Sequence, residues 1–212
     1  MLMLGDYIAY SAVLDGKHVV YTPSYGPETR GGKAKCYVVI SDDEIDTPIP
    51  EKPDLMIILN QPSMDFVPML GKDGLLLYNS SLVQGEPQRN DIKKVPVPAT
   101  ELADSLAKEL SPAILGDMKD TRFVANSVMF GAYLGTTAGE TAKIHLNETL
   151  HHFLAGKKAS LLELNRSAVE RGLRHMLTAT AENRSSRPPT PLGGAPRRAL
   201  RAYTESTYLF TR

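Results

Sequence analysis

The sequence predicts a doubly wound α/β fold: a mostly parallel sheet with helices on both faces. Two observations carry that expectation. The runs Leu55-Met56-Ile57-Ile58-Leu59 and Leu75-Leu76-Leu77-Tyr78 are continuously apolar and bounded by Pro, Gly and Asp, which suits strands covered on both sides. Segments with helical spacing fall between and after the strand-like runs, and such alternation defines the doubly wound class.

In chain order, residues 2–15 predict a helix, with Leu4, Ile8 and Ala12 on one face and Gly16 in the stopping position. His18 to Tyr21 is a short β-prone run, followed by a loop through Pro23, Gly26 and Pro27. Cys36 to Ile40 is a further strand, ended by Asp42-Asp43-Glu44. Ser63 sits where it can cap a short helix that Pro68 disturbs. Ile92 to Val97 is a strand placed at an edge or a strand end by Pro96. Thr100-Glu101 opens a helix to Leu110, with Leu102, Leu106 and Leu110 four apart. Asn126–Leu134, Thr141–Leu154 and Ala159–Leu173 complete the helices, and Gly131 and Ala132 suit close packing.

The first domain is therefore expected over 1–174. From 175 the character changes. Residues 176–212 hold six arginines, four prolines and no lysine, whereas the first 175 hold six arginines and twelve lysines. Without a helical or strand period, 175–212 is expected to be a disordered Arg/Pro-rich tail.

Lys+Arg and Asp+Glu both number 24, so the charge balance points to neither nucleic acid nor an anionic membrane. No run approaches the roughly 18 apolar residues of a membrane span, and Gly5 and Asp6 interrupt the pattern of a signal peptide. A cytoplasmic protein is expected. The single cysteine, Cys36, cannot supply the four thiolates of an iron–sulfur cluster, and reads as a small buried hydrophobe. His151-His152 lacks an accompanying carboxylate pattern for zinc, and Asp42-Asp43-Glu44 is too short for a calcium loop. No metal site is expected in this chain.

The segment Tyr21-Thr22-Pro23-Ser24-Tyr25-Gly26-Pro27-Glu28-Thr29-Arg30-Gly31-Gly32 follows a strand, which places it at the carboxyl edge of the sheet, where doubly wound proteins bind ligands. Its glycines permit close backbone approach and Arg30 offers a planar cationic fork for phosphate or carboxylate. Two readings stand: an anion- or partner-facing loop, or a structural loop with a surface arginine. Asn60 and Gln61, and likewise Asn79 and Ser80, end strands at the same edge. Their polar groups suit either orienting a ligand or capping the next helix.

Pro23-Ser24-Tyr25-Gly26-Pro27-Glu28, Arg30-Gly31-Gly32, Cys36 and the Val38-Val39-Ile40-Ser41 strand together resemble the gamma subunit of 2-oxoacid:ferredoxin oxidoreductases. Asn60-Gln61-Pro62-Ser63, Gly74 through Ser81, and Val97-Pro98-Ala99-Thr100-Glu101 follow in the family's order. The resemblance spans about residues 2–174 and implies a subunit with no catalytic residue of its own. Alpha and beta companion subunits would bind thiamine diphosphate and Mg2+, and a cluster-bearing subunit or domain would carry [4Fe–4S] centres. Coenzyme A would take the acyl group and ferredoxin the electrons. Tyr25, Glu28, Arg30, Gly31 and Gly32 would face the shared site, with Arg30 as phosphate or partner contact. The loop is more similar to the 2-oxoglutarate and branched-chain members, with 2-oxoglutarate placed first.

Members begin with a strand and a Gly-x-Gly-Gly-Gln-Gly loop ahead of the first helix, whereas this sequence starts at Met1-Leu2-Met3-Leu4-Gly5. The expectation is thus an N-terminally truncated domain without its central first strand. Two alternatives remain: a non-catalytic nucleotide- or coenzyme-A-binding α/β module, and a truncated inactive copy of the subunit.

Overall fold

The computed structural model describes residues 2–25, 33–47, 49, 51–109, 122–136, 139–154, 159–185 and 201–207. Helix α1 (Leu2–Leu14) leads into strands β1 (His18–Tyr25) and β2 (Lys33–Ser41). Strand β3 (Leu55–Ile58), a 3-10 helix (Gln61–Met69), and strands β4 (Leu75–Asn79) and β5 (Lys93–Val97) follow. Helices α2 (Ala99–Glu109) and α3 (Arg122–Leu134), a 3-10 turn (Thr141–His145), α4 (Leu146–Leu154), α5 (Ala159–Ser185) and strand β6 (Arg201–Thr207) complete the described elements. One six-stranded sheet has the order β1-β2-β6-β3-β4-β5.

Strands β6, β3, β4 and β5 are mutually parallel, while β2 is antiparallel to both β1 and β6. β1 therefore runs with the parallel set. Its carboxyl end, Tyr25, emerges on the same edge as those of β3 and β4. The sheet is mostly parallel, as expected, and β2 is the one described strand that runs against the others. That pairing lengthens β1 beyond the expected 18–21, because Thr22–Tyr25 pair with Tyr37–Ala34.

Both faces are covered, unevenly. On one, Val38, Leu55, Ile57, Leu77 and Val97 join a core with the five described α-helices, including Leu4, Ile8, Ala103, Val128 and Leu164. On the other, Tyr37, Met56, Ile58, Leu76 and Tyr78 pack beneath the 3-10 helix through Val67 and Leu70. All four β3 residues are buried, each worth roughly 1.5–3 kcal/mol of transfer free energy. Pro96 is tolerated because β5 is an edge strand. Pro68 lies inside the 3-10 helix, in agreement with the short, disturbed helix expected there. Gly16 ends α1 with φ +74°, the Gly16 amide donating to Val13 O and the Lys17 amide to Ala12 O; this is a glycine-terminated Schellman cap.

Described structure continues past the expected domain limit at 174. The proposed boundary at 174 falls inside α5, which continues to Ser185. Met176 is buried against Gly135, and His175 Nε2 lies 2.9 Å from Pro96 O; these contacts carry the helix past Leu173. Within the expected tail, residues 201–207 pair as β6, with backbone partners in both β2 and β3.

α3 and α5 cross at glycines. A Cβ on Gly131 would lie 1.9 Å from Val169 O, and one on Gly172 1.8 Å from Val128 O. Beside the crossing, Ser127 Oγ donates to Asn165 Oδ1 at 2.6 Å and Asn165 Nδ2 to Leu161 O at 2.7 Å. Arg171 joins α5 to α2 through Ser105 Oγ, 3.0 Å away, and the Glu109 carboxylate.

Two tyrosines in this core make the fold alkali-sensitive. Burial pushes the Tyr7 phenol up to about 12, with the Asp6 charge adding and the Ser127 hydroxyl opposing. Burial also raises Tyr133 well above its ordinary value. The unfolded phenols ionise near 10, so above that pH the folded state retains protons that the unfolded state releases. The stabilising contribution is complete below about pH 10 and is lost as pH rises towards and through 12. A melting-temperature series from pH 8 to 11.5 should therefore fall more steeply for the wild type than for Tyr7→Phe. Parallel curves would contradict the assignment.

Candidate functional site

The carboxyl edge collects the loops singled out in the sequence. Tyr25 lies at the carboxyl end of β1; Glu28, Arg30, Gly31 and Gly32 fall outside the described residues. Lys33, the first residue of β2, pairs with Thr207, so the hairpin and the end of β6 meet there. On the other side of β6, β3 ends before Asn60 and Gln61.

Asn60 is buried, and its Oδ1 accepts from Ser63 Oγ at 3.0 Å. Its carbonyl accepts from the Ser63 amide at 3.2 Å. Gln61 is exposed, and its Oε1 accepts from the Gln84 amide at 2.6 Å, tying the end of β3 to the segment after β4. Ser80 is half-buried and its amide donates to Val97 O at 3.0 Å.

Asn79 is 2% exposed, and both ends of its amide are engaged. Nδ2 donates to Leu59 O at 3.2 Å and Thr100 Oγ1 at 2.9 Å. Oδ1 accepts from the amides of Ser81 (3.3 Å), Ala99 (3.1 Å) and Thr100 (3.4 Å). Ser81 Oγ accepts the Glu101 amide at 3.2 Å. The opening amides of α2 are thus capped from the end of β4, a long-range version of an N-cap. Asn79 fastens the ends of β3, β4 and the start of α2 together; the local sequence could identify it only as a polar residue at a strand end.

Sequence reasoning passed over two further groups. Arg89 Nη1 donates to Val67 O (3.0 Å) and Leu70 O (2.7 Å), while its Nε donates to Asp91 Oδ1 at 2.9 Å. This clasp closes the end of the 3-10 helix, and the hydrogen-bonded guanidinium holds the Asp91 carboxyl below its ordinary range. Lys35 places its ammonium 5.3 Å from the Tyr37 ring centroid and 5.2 Å from that of Phe66, a cation–π arrangement. The only local signal was a basic residue two positions before an aromatic one in β2.

Among the described residues, no group of three or more His, Cys, Asp or Glu is placed to hold a metal ion, and no helix is long and apolar enough to cross a membrane. Cys36 is buried as expected, with a Cβ on Gly5 falling 2.5 Å from its Sγ.

The geometry defines an α/β domain in which Tyr25, Asn60, Gln61, Asn79 and Ser80 lie at or next to the carboxyl ends of β1, β3 and β4 in a mostly parallel sheet. The chain belongs to the pyruvate ferredoxin/flavodoxin oxidoreductase family, which residues 1–175 match. Ketoisovalerate oxidoreductase subunit VorA of Methanothermobacter thermautotrophicus is 30% identical over 173 residues, covering 81% of this chain and 33% of VorA. The 2-oxoglutarate synthase subunit KorC of Methanocaldococcus jannaschii is 36% identical over 124 residues, 58% of this chain and 60% of KorC. The chain thus spans about a third of VorA's length. Among solved structures, the gamma subunit of a keto/oxoacid ferredoxin oxidoreductase from Geobacter sulfurreducens superposes with TM-score 0.58 at 28% identity, covering 82% of this chain and 90% of that one. A 2-oxoglutarate:ferredoxin oxidoreductase from Magnetococcus marinus, 20% identical, shares the fold with TM-score 0.68 over 82% of this chain and 28% of its own.

Proposed function

We propose that the chain is the gamma-type subunit of a 2-oxoacid:ferredoxin oxidoreductase, with 2-oxoglutarate as the first choice of substrate. The family match over residues 1–175, together with coverage of 90% of a gamma subunit, is the observation that carries this reading. In the reaction the 2-oxoacid loses its carboxylate as CO2, and its acyl carbon forms a thioester with the thiol of coenzyme A. Two electrons pass one at a time to two ferredoxins, and a proton is released. Thiamine diphosphate, Mg2+ and the [4Fe–4S] clusters belong to companion subunits in this scheme, in keeping with the single thiol here. The part assigned to this chain is to shape the edge of the shared site through Tyr25 and the loop 26–32. Arg30 meets a coenzyme A phosphate or an acidic group of a companion. Both VorA and KorC are relatives, so branched-chain 2-oxoacids form the second choice.

The test is co-expression with the companion subunits, followed by 2-oxoacid- and coenzyme-A-dependent reduction of a viologen dye. The panel is 2-oxoglutarate, 3-methyl-2-oxobutanoate, pyruvate and indolepyruvate. Dye reduction that requires this chain is expected, with 2-oxoglutarate preferred; an assembled complex equally active without it would overturn the assignment. Arg30→Ala should raise the KM for coenzyme A by about 10–100-fold, the equivalent of one lost charge-assisted contact, with kcat little changed. An unchanged KM in an intact complex would remove Arg30 from the phosphate contact.

A further inference from the structure

The two edges of the sheet are built differently. β5 is guarded: it carries Lys93, Lys94 and Pro96 within five residues, and His175 of α5 lies with Nε2 2.9 Å from Pro96 O. Lysine, proline and a covering helix are the usual means by which an edge strand is kept from pairing. β1, at the other edge, has eight residues, His18-Val19-Val20-Tyr21-Thr22-Pro23-Ser24-Tyr25. From Val19 to Tyr25 it holds no charged residue, and Val19-Val20-Tyr21-Thr22 is a run of β-branched and aromatic residues with high strand propensity. Val19 to Thr22 are half-buried, and Pro23 and Ser24 are exposed. Among the described strands only β2 pairs with it.

Pro23 sets the direction of the backbone. Proline is accommodated in an edge strand where its missing N–H would face outward, and the two-residue period then turns the peptide groups of Val19 and Tyr21 to the same side. The side chains of Val19 and Tyr21 pack on the helical core, and the Tyr21 phenol bonds the Asp6 carboxylate. Val20 and Thr22 alternate onto the other face of the sheet. Lys17, just ahead of the strand, is paired with Asp42 of its own chain.

We propose that the outer edge of β1 is a self-association surface, occupied by β1 of a second copy of this chain, antiparallel and related by a two-fold axis at Val20. That register places Val19 opposite Tyr21 of the copy on both sides of the axis, each such pair exchanging its N–H···O bonds. An aromatic residue across from a β-branched one is a favourable cross-strand pair. Val20 meets Val20 of the copy, and His18 meets Thr22. A register centred on Tyr21 would instead set Pro23 opposite Val19, where proline has no proton to donate. Charge favours a copy as the occupant. Near a two-fold axis every charged side chain approaches its own like; β1 brings none there, whereas β5 would bring Lys93 and Lys94. The pairing extends the sheet across both copies, and because the strands are antiparallel it sends the two carboxyl edges to opposite ends. Association therefore leaves each copy's candidate site on its own side. One strand pair buries little area, so the dimer is reversible on dilution.

The test is sedimentation velocity of the full chain across a dilution series. A reversible shift from single chains to pairs is expected for the wild type. Val20→Lys sets two ammonium groups across the axis and should weaken pairing by at least about tenfold. Its melting temperature should stay with the wild type, because Val20 is only half-buried at an edge. Val20→Cys should form a disulfide-linked pair on oxidation, since directly opposed residues of antiparallel strands lie within disulfide reach. Peptide mass mapping should find residue 20 of one copy joined to residue 20 of the other. Ser24→Cys, outside the paired segment, should remain single. The native Cys36 is buried and should take no part.

Wild type that sediments as single chains at every concentration would overturn the proposal. If Val20→Lys then also failed to co-purify with companion subunits, the edge would belong to a companion instead of a copy. Pairs that persist undiminished in Val20→Lys would place the contact elsewhere on the molecule. Pairs that yield no disulfide at residue 20, or that link equally well through Ser24→Cys, would exclude the register about Val20.

Discussion

Gly131→Ala and Gly172→Ala are each expected to destabilise the protein by at least about 3 kcal/mol. The reason is the nature of the atoms a methyl would meet. At Gly131 these are Val169 O at 1.9 Å, Val169 C at 2.8 Å and Leu173 N at 2.9 Å. At Gly172 they are Val128 O at 1.8 Å, Val128 C at 2.8 Å and Ala132 N at 3.0 Å. All are backbone atoms, and no rotamer change can withdraw them. The helices must separate, which opens space around Val128, Leu164, Ala168 and Val169 in the main core and lengthens the Ser127–Asn165 hydrogen bond. For a chain of this size, about 3 kcal/mol corresponds to a fall in melting temperature of roughly 6–12 °C. The double variant should cost much less than the sum of the two, since the separation forced by the first methyl accommodates the second. Gly85→Ala is the control: its φ is +76° with nothing within 4 Å of a Cβ, so only the left-handed backbone is penalised, by about 1–2 kcal/mol. Equal melting temperatures for Gly85→Ala and Gly131→Ala would contradict the close crossing.

That crossing shows how far a sequence can be read. Gly131 and Ala132 announce close packing on α3, and the small residues alone are enough for that. The partner is not announced, because Gly172 lies in a helix of ordinary composition and only the three-dimensional course of the chain brings the two together. The strands divide in the same way. β3 and β4 are legible since burial on both faces demands an unbroken apolar run, which Leu55–Ile58 and Leu75–Tyr78 provide. β6 is illegible for the opposite reason: its order comes from backbone pairing, and Arg201–Thr207 carries no apolar period. The hairpin lay between. Its strands were visible as short runs, but their antiparallel pairing depends on the connection through residues 26–32, which has no short Asn-Gly or Asp-Gly turn signal to declare it.

At the candidate site the residue types were legible and their use was not. Asn60, Gln61, Asn79 and Ser80 were all expected at the carboxyl edge, and the strands deliver them there. Whether such an amide serves a ligand or the fold depends on which carbonyls and amides lie within 3.5 Å, information that the local sequence lacks. Asn79 can be argued from geometry because both its donor and its acceptor groups have partners in three segments.

Asn79→Ala is accordingly expected to lower stability by about 2–4 kcal/mol, since it leaves buried backbone groups without their partner at roughly 1–3 kcal/mol each. The amides of Ala99 and Thr100 lose an acceptor at the opening of α2, and Leu59 O loses a donor. Asn79→Asp should fall between wild type and alanine at neutral pH. A carboxylate still accepts from those amides, and its charge suits a helix N-terminus. It cannot donate to Leu59 O or Thr100 Oγ1, and it turns an oxygen towards the Leu59 carbonyl. Hydrogen exchange adds a readout that global unfolding alone would not give: the amides of Ala99, Thr100 and Glu101 should lose protection before those of β4. If Asn79 instead served a ligand, its alanine variant would melt with the wild type and differ only in the assembled complex, through a weaker affinity for coenzyme A or 2-oxoacid. A lowered melting temperature in the isolated chain, with the order alanine below aspartate below wild type, assigns the residue to the scaffold that fixes the carboxyl edge.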